Sequence, residues 1–189
     1  MIKEQKKQLR AHYRAVRADI APEARAEQCR EICARILQSD AYKEADSLLL
    51  YAALGDEIDL SAVARDAWRQ GKAVAYPRCL DKEGRMAFYV ADSPERLIPG
   101  SFGIPEPDLS CPEWQENGRA LCILPALAVD VDGHRLGYGK GFYDRYIDKS
   151  RMTAVGVIYS DCIEKELPRG RYDLAVHFMV TDKGVKIVD

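Results

Sequence analysis

Residues 121–144, LCILPALAVDVDGHRLGYGKGFYD, decide the fold class of this chain. They open with its most apolar run, 121–129, which is typical of a strand buried at the centre of a sheet. A glycine-rich turn follows, and the pattern then predicts a helix over 142–149. A buried strand, a tight turn and a helix in this order are typical of α/β proteins.

The rest of the chain repeats this alternation of helices and apolar strands. Helices are predicted over 2–17, from Pro22 onward, and over 60–70, where Gly71 supplies a left-handed cap. Further strands are predicted over 48–53, 73–76, 85–90, 153–159, 176–180 and 185–188, and the proline-rich stretch 94–114 is predicted to be an irregular loop. We therefore expect one α/β domain over 1–189, a central mostly parallel or mixed sheet flanked by helices, with ligands beyond the carboxyl ends of its strands.

Composition excludes several classes of protein. The 189 residues include 28 basic and 30 acidic side chains, a formal net charge of −2, which argues against duplex nucleic acid as the main partner. A run of about 18 apolar residues and the apolar segment of a signal peptide are both absent, so we expect a cytoplasmic protein without a membrane partner. The six cysteines lack metal-ligand spacing and are assigned no chemistry.

The glycine-rich turn carries the densest chemical signal. Gly137, Gly139 and Gly141 alternate, with Lys140 between two of them, directly before the predicted helix. Glycines let backbone N–H groups approach a phosphate, and Lys140 and Arg135 would add positive charge. The motif matches neither the Walker loop nor the dinucleotide fingerprint, so a phosphate site and a merely tight turn both remain open.

Two aspartates are candidate magnesium ligands. Asp144 lies in the first turn of the helix after the glycines, where a carboxylate also stabilises the helix dipole. Because magnesium is usually held by one or two carboxylates and substrate phosphates, Asp144 could instead bind the metal beside a phosphate loop. Asp173, in a loop before the last strands, could be a second ligand, although an ordinary loop aspartate would look the same.

The first helix is basic along one side. Lys6, Arg10, Arg14 and Arg17 recur at helical spacing and would align in a stripe. A solvated surface is the usual explanation of such a run. A positive stripe on a nearly neutral chain also suits a polyanion, and a triphosphate and RNA are both compatible with it.

Polar and apolar residues elsewhere suggest a second part of the site. Glu57 and Asp59 follow a predicted strand, where acids either cap a helix or bind the N–H groups of a heterocycle. Phe102, Ile104 and Pro105 could supply an apolar wall. The three histidines are too dispersed in the sequence to support a triad or a metal site.

Several segments together resemble one family of enzymes. They are Lys6-x-x-Leu9-Arg10, the Glu57 region, 103–107 (GIPEP), Leu124-Pro125, Asp130, Gly133, the block 135–144 (RLGYGKGFYD), Val155-Gly156, Leu167-Pro168, Asp173 and Thr181. On these motifs the chain resembles the 5-formyltetrahydrofolate cyclo-ligases, also called 5,10-methenyltetrahydrofolate synthetases, nearly end to end. The block 135–144 is the most specific of them.

The resemblance implies an ATP- and Mg²⁺-dependent cyclisation of 5-formyltetrahydrofolate to 5,10-methenyltetrahydrofolate, with release of ADP and phosphate. In the mechanism proposed for the family, the formyl oxygen attacks the γ-phosphate, N10 closes on the activated carbon, and phosphate leaves. A protein nucleophile is not required. The protein has to position the substrates and neutralise charge on the transferred phosphoryl group. We expect Lys140 and Arg135 to do this as catalytic residues.

The family motifs also imply which residues bind which ligand. The ATP-binding residues implied are Lys6, Lys7, Arg10, Arg135, Gly137, Tyr138, Gly139, Lys140, Gly141, Phe142 and Tyr143, to which helical spacing adds Arg14. The folate-binding residues implied are Leu54, the Glu57/Asp59 pair and 138–142, and the apolar-wall argument adds Phe102. The metal-linked acids implied are Asp144 and Asp173.

Two positions depart from the family pattern. Leu60 stands where many relatives have threonine, and His177 stands where relatives often have a second carboxylate. The intact loop around Lys140 and Asp144 favours an enzyme, which we expect to be a monomer without a nucleic-acid partner. A non-catalytic folate- or nucleotide-binding relative is the alternative, and an RNA-binding module is a third class.

Overall fold

A computed structural model describes residues 1–81, 83–116, 118–147, 152–171 and 173–188, without the side chain of Phe102. Its helices are α1 (Ile2–Ala18), α2 (Pro22–Gln38), α3 (Asp40–Glu44), α4 (Ser61–Arg69) and α5 (Phe142–Ile147). Its strands are β1 (Ser47–Leu49), β2 (Ala73–Cys79), β3 (Met86–Val90), β4 (Leu97–Pro99), β5 (Pro105–Pro107), β6 (Ala120–Leu124), β7 (Ala128–Asp130), β8 (Arg135–Leu136), β9 (Thr153–Val157), β10 (Ile163–Glu164), β11 (Phe178–Thr181) and β12 (Gly184–Ile187).

Seven strands form the main sheet, in the order β12-β11-β9-β6-β1-β2-β3. The five inner strands are parallel, and the two edge strands β3 and β12 pair antiparallel. Helix α2 packs against β11 and α4 against β2. The predicted α/β class with a mostly parallel sheet is therefore confirmed.

The core lies on the central strands. All residues of β1 and β6 are buried, and Leu48, Leu49 and Ile123 are fully covered. Strands covered on both faces read as continuous apolar runs, which is why 121–124 stood out in the sequence. Because the inner strands are parallel, their carboxyl ends open onto one edge of the sheet.

The prediction of a single strand over 121–129 was wrong. The run breaks after Leu124, and its second half becomes β7, which pairs with β8 and β10 in a separate three-stranded sheet. Pro125 lacks the N–H that a central strand must donate, so the chain leaves the main sheet there.

The prediction that the strand at residue 73 ends before Pro77 was also wrong. Strand β2 runs through Pro77 to Cys79. Its partner β1 pairs with Ala73–Ala75, and Pro77 lies opposite Phe88 of β3. Since Pro77 lies beyond the end of β1, its missing N–H breaks no hydrogen bond of the parallel pair.

Short elements account for the remaining differences. The stretch 94–114 is not wholly irregular, because β4 and β5 pair antiparallel within it. Helix α3, whose first turn is capped by the Ser39 hydroxyl accepting from the Tyr42 N–H at 3.2 Å, was not predicted. The strand predicted over 48–53 is the three-residue β1, and residues 148 and 149 of the predicted helix lie outside the described residues.

Within the described part of the chain, no helix combines the length and the apolar character needed to cross a membrane.

Candidate active site

A cleft of about 610 Å³ opens at the carboxyl edge of the main sheet. Its walls include Tyr51 and Ala52 after β1, Pro125 after β6, and the glycine-rich segment after β8. The following predicted site residues line it together: Lys6, Arg10, Arg14, Leu54, Glu57, Arg135, Gly137, Tyr138, Gly139, Lys140, Gly141, Phe142, Tyr143, Asp144 and Asp173.

The turn before the glycines is built around Asp130. This residue ends β7 and is fully buried. One carboxylate oxygen accepts from the N–H groups of Asp132 and His134, at 3.0 and 2.9 Å, and the other accepts from the Leu167 N–H at 3.1 Å. The carboxylate thereby fixes the turn that delivers Arg135 to the cleft.

The glycine loop needs glycine for two reasons. Gly139 and Gly141 have φ values of +100° and +67°, a region that side-chain-bearing residues rarely adopt. A Cβ on Gly139 would also lie 3.1 Å from the guanidinium carbon of Arg10. At Gly139 the side chain of Arg10, from helix α1, occupies the space beside the loop.

Three basic residues of α1 reach this loop and its neighbours. Lys6 forms an ion pair with Asp173, and Arg10 Nε donates to the Gly137 carbonyl at 2.8 Å. The Arg14 guanidinium lies 5.8 Å from the centre of the Tyr138 ring, a cation–π distance. Lys7, predicted to bind ATP, is exposed and is not part of the cleft wall.

Asp144 and Asp173 lie in the same cleft, each beside a cation. Asp144 accepts from Arg135 Nη2 at 2.6 Å, and the Arg135 side chain is 4 % exposed. Burial acts to raise the pKa of Asp173, but hydrogen bonds from Lys6 and from the Gly170 N–H outweigh it and hold that pKa below its usual value. The Asp173 carboxylate therefore stays charged at neutral pH.

A metal held by protein ligands alone is not indicated. Among the described residues, no group of three or more His, Cys, Asp or Glu side chains could hold an ion. Two carboxylates in a cationic cleft fit a magnesium ion that takes its remaining ligands from water and a phosphate chain.

Glu57 and Asp59 are separated by the fold. Glu57 lines the cleft, and its Oε2 accepts from the Leu54 N–H at 2.8 Å. Asp59 lies outside the wall of this cleft and accepts from the N–H and hydroxyl of Ser61, at 2.8 and 3.1 Å, at the start of α4. Leu60, the first departure from the family pattern, is buried and is itself the N-cap residue of α4, so its side chain cannot cap the helix by a hydrogen bond.

The second departure, His177, also lies away from the cleft wall. Its Nδ1 accepts from the Ala154 N–H at 2.8 Å, next to the pairing of β9 with β11. His177 therefore stabilises the pairing of two strands. Asp173 is paired with Lys6 and has no second carboxylate from position 177 beside it.

Sequence reasoning missed Glu106 and Cys79. Glu106 is 8 % exposed, lines the cleft, and accepts from the Cys79 N–H at 3.3 Å. Burial and the nearby Glu106 carboxylate raise the pKa of the Cys79 thiol to about 11, so this cysteine is not a nucleophile at neutral pH. The 103–107 motif was the available signal, but it was used for the family resemblance and for an apolar wall, and Glu106 was given no role. Of the three predicted wall residues, Ile104 lines the cleft, Pro105 does not, and the side chain of Phe102 lies outside the described residues.

Fold and cleft together define a class of protein: a mostly parallel α/β fold with a cationic, glycine-bordered cleft for a small ligand at the carboxyl edge of its sheet. A family model described as the 5-formyltetrahydrofolate cyclo-ligase family matches residues 2–182. The chain belongs to that family.

Curated relatives and solved structures agree with this assignment. The 5-formyltetrahydrofolate cyclo-ligase of Mus musculus is 25 % identical, with 90 % of each chain covered, and that of Escherichia coli K12 is 25 % identical over 89 % of this chain and 96 % of its own. The 5,10-methenyltetrahydrofolate synthetase of Aquifex aeolicus superposes with a TM-score of 0.86 at 28 % identity, covering 97 % of this chain and 92 % of its own. The Mycoplasma pneumoniae synthetase shares the fold, with a TM-score of 0.76 at 17 % identity over 94 % of this chain and 98 % of its own. The expected enzyme, of the ligase class, is confirmed.

Proposed function

We propose that this chain uses ATP and Mg²⁺ to convert 5-formyltetrahydrofolate to 5,10-methenyltetrahydrofolate, releasing ADP and phosphate. The main support for the proposal is that a single cleft is lined both by the cationic glycine loop and by the Glu57 carboxylate. Family membership and the names of the relatives support the choice of substrates.

The ATP phosphates are assigned to the cationic side of the cleft. Lys6, Arg10 and Arg14 come from α1, and Arg135 and Lys140 come from the loop. Their charges suit a triphosphate, and the backbone N–H groups of the glycines can approach phosphate oxygens closely. These residues position the γ-phosphate and neutralise the charge that develops on it.

The folate is assigned to the opposite wall. Leu54, Met86 and Ile104 supply apolar surface, and the Glu57 carboxylate can accept from the N–H groups of a pterin ring. The Asp59 carboxylate is occupied by the N–H and hydroxyl of Ser61 and lies outside the cleft wall, so we assign the folate contact to Glu57.

The reaction consists of two bond exchanges, and neither of them needs a protein nucleophile. The formyl oxygen bonds to the γ-phosphorus while the bond from that phosphorus to ADP breaks. N10 then bonds to the activated carbon, loses its proton, and the carbon–oxygen bond to phosphate breaks. A magnesium ion held by Asp144 and Asp173 would offset phosphate charge.

We further propose that residues 1–189 act as one cyclo-ligase domain, as a cytoplasmic monomer without nucleic-acid or membrane partners. The family model spans 2–182, which supports a single functional unit. The monomeric state and the location stay predictions.

Near-ultraviolet absorbance of methenyltetrahydrofolate tests the reaction directly. Purified protein receives 5-formyltetrahydrofolate, ATP and Mg²⁺, and controls omit each in turn. We expect product that requires all three. Folate binding by calorimetry without any product would contradict the proposal and favour a non-catalytic binding relative.

The metal assignment is tested by Asp144→Asn, which removes a negative charge from the cleft. We expect turnover of the variant to need a higher Mg²⁺ concentration, because one carboxylate ligand is lost. The exposed Asp40→Asn is the matched control. A magnesium titration of Asp144→Asn that coincides with wild type would return Asp144 to a purely structural role with Arg135.

A further inference from the structure

Arg17 is a buried arginine behind the cleft wall. It lies in the last turn of α1, is 2 % exposed, and does not itself line the cleft. Taking a guanidinium out of water is costly unless its charge and donors are satisfied. A buried arginine that does not line the cleft therefore calls for an account of what it holds in place.

Its contacts lead to two aromatic residues. Nη1 donates to the Tyr138 hydroxyl at 3.2 Å, and the guanidinium lies 5.3 Å from the centre of the Tyr159 ring. Its Nε is buried and finds no hydrogen-bond partner among the described residues. Burial acts to lower the pKa of Arg17, but Tyr138 and the Asp56 carboxylate outweigh it and raise that pKa, so the group stays charged.

One of these aromatic residues lines the cleft, and the other is buried behind it and bonded to the loop that carries Glu57. Tyr138 is part of the glycine loop, and the Glu57 carboxylate lies beside its hydroxyl. The Tyr159 hydroxyl donates to the backbone carbonyl of Asp56 at 3.2 Å, and Asp56 directly precedes Glu57. Arg17 thus stands between the loop assigned to ATP and the loop assigned to folate.

We propose that Arg17 is a positioning residue that fixes these two loops relative to each other through Tyr138 and Tyr159. The inference rests on the proposed assignment of the two walls to the two substrates. Since phosphoryl transfer from ATP to the formyl oxygen requires both substrates at a fixed separation, an error in this spacing would lower turnover without removing any group that touches them.

The main variant is Arg17→Met, which keeps an apolar stem of similar length and removes the charge and the donors. We expect wild-type circular dichroism, a kcat/KM lowered by about ten- to a hundredfold, as for the loss of a hydrogen bond to a charged group, and a raised KM for both substrates. Arg17→Lys should recover part of the loss, because the charge is retained. Arg30→Met, on the exposed face of α2, is the matched control and should behave as wild type.

A double-mutant cycle separates positioning from general stability. Tyr138→Phe removes the acceptor for Arg17, so the effects of Arg17→Met and Tyr138→Phe on kcat/KM should be less than additive. A folded Arg17→Met with wild-type kcat and KM values, or fully additive effects, would overturn the inference.

Two further outcomes are decisive. If Arg17→Met does not fold, Tyr159→Phe takes its place, since it keeps the ring beside Arg17 and removes the bond to Asp56. Tyr159→Phe with wild-type KM for the folate would then contradict the inference. Wild-type protein that makes no product would contradict the proposed function instead, so the two failures are distinguishable.

Discussion

Two cations of the cleft are held in place by carboxylates. Lys6 is paired with Asp173, and Arg135 with Asp144. Long cationic side chains lose rotamer freedom when they are ordered, and an ion pair that is partly shielded from water bears that cost in advance. The cleft is therefore preorganised for a charged ligand.

Lys140 is the loop cation for which we expect the largest effect on catalysis. Lys140→Ala should lower kcat by about 10²–10³-fold, the range for removal of one electrostatic group from a reacting centre, with an unchanged thermal transition. Steady-state absorbance assays measure this, and Lys165→Ala, an exposed lysine outside the cleft, is the control. Wild-type turnover of Lys140→Ala would refute the assignment of the loop to phosphate.

Asp173 predicts a pH dependence of stability. Its folded-state pKa is lowered, so its stabilising contribution is present above the ordinary carboxylate pKa and is lost as pH falls through the lowered value. The free energy of unfolding of wild type should exceed that of Asp173→Asn by a constant amount from about pH 5 to 8. This difference should shrink as pH falls below about 4 and disappear only below the lowered pKa. Urea denaturation across this range and down to about pH 2 measures the difference, and a difference that does not shrink below about pH 4 would contradict the prediction.

Helix α1 and the glycine loop form one unit of the site. Arg10, Arg14 and Arg17 occupy successive turns of α1, and each contacts the loop at Gly137 or Tyr138. Helical spacing places these side chains along one side of the helix. An N-terminal helix that is basic in sequence is therefore part of the cleft.

Gly139→Ala tests this packing. The substitution forces a Cβ into a left-handed backbone at a cost of about 1–2 kcal/mol and toward the Arg10 guanidinium. Calorimetry should show weaker ATP binding together with lower stability. Gly71→Ala has a comparable φ of +71° and open space around its Cβ, so it should lower stability alone. Equal ATP affinity in the two variants would contradict the proposal that Arg10 and the glycine loop bind ATP together.

The stability of the whole molecule is expected to come from its central sheet. Leu48 of β1 is fully buried between two parallel neighbours, whereas Leu109 is 88 % exposed. Leu48→Ala should lower the free energy of unfolding by about 2–5 kcal/mol, and Leu109→Ala should change it by less than about 0.5 kcal/mol. Urea denaturation with similar m-values for all three proteins would make the comparison valid, and equal losses would contradict the assignment of the core.

The amino-acid sequence by itself determined the alternation of helices and buried strands and the position of the glycine loop. These features depend on local physics: apolar periodicity, the left-handed conformations that glycine adopts, and the N–H that proline lacks. The family motifs named most of the residues that line the cleft.

Tertiary structure alone decided the rest. It placed Glu57 in the cleft wall and bonded Asp59 to Ser61 outside it, although both residues are acids that follow the same strand. It also buried Arg17 while its neighbours on the same basic stripe reached the cleft, and it added Glu106 to the wall. Each of these outcomes depends on which distant segment packs against a side chain, and the residues around it in the sequence do not encode that contact.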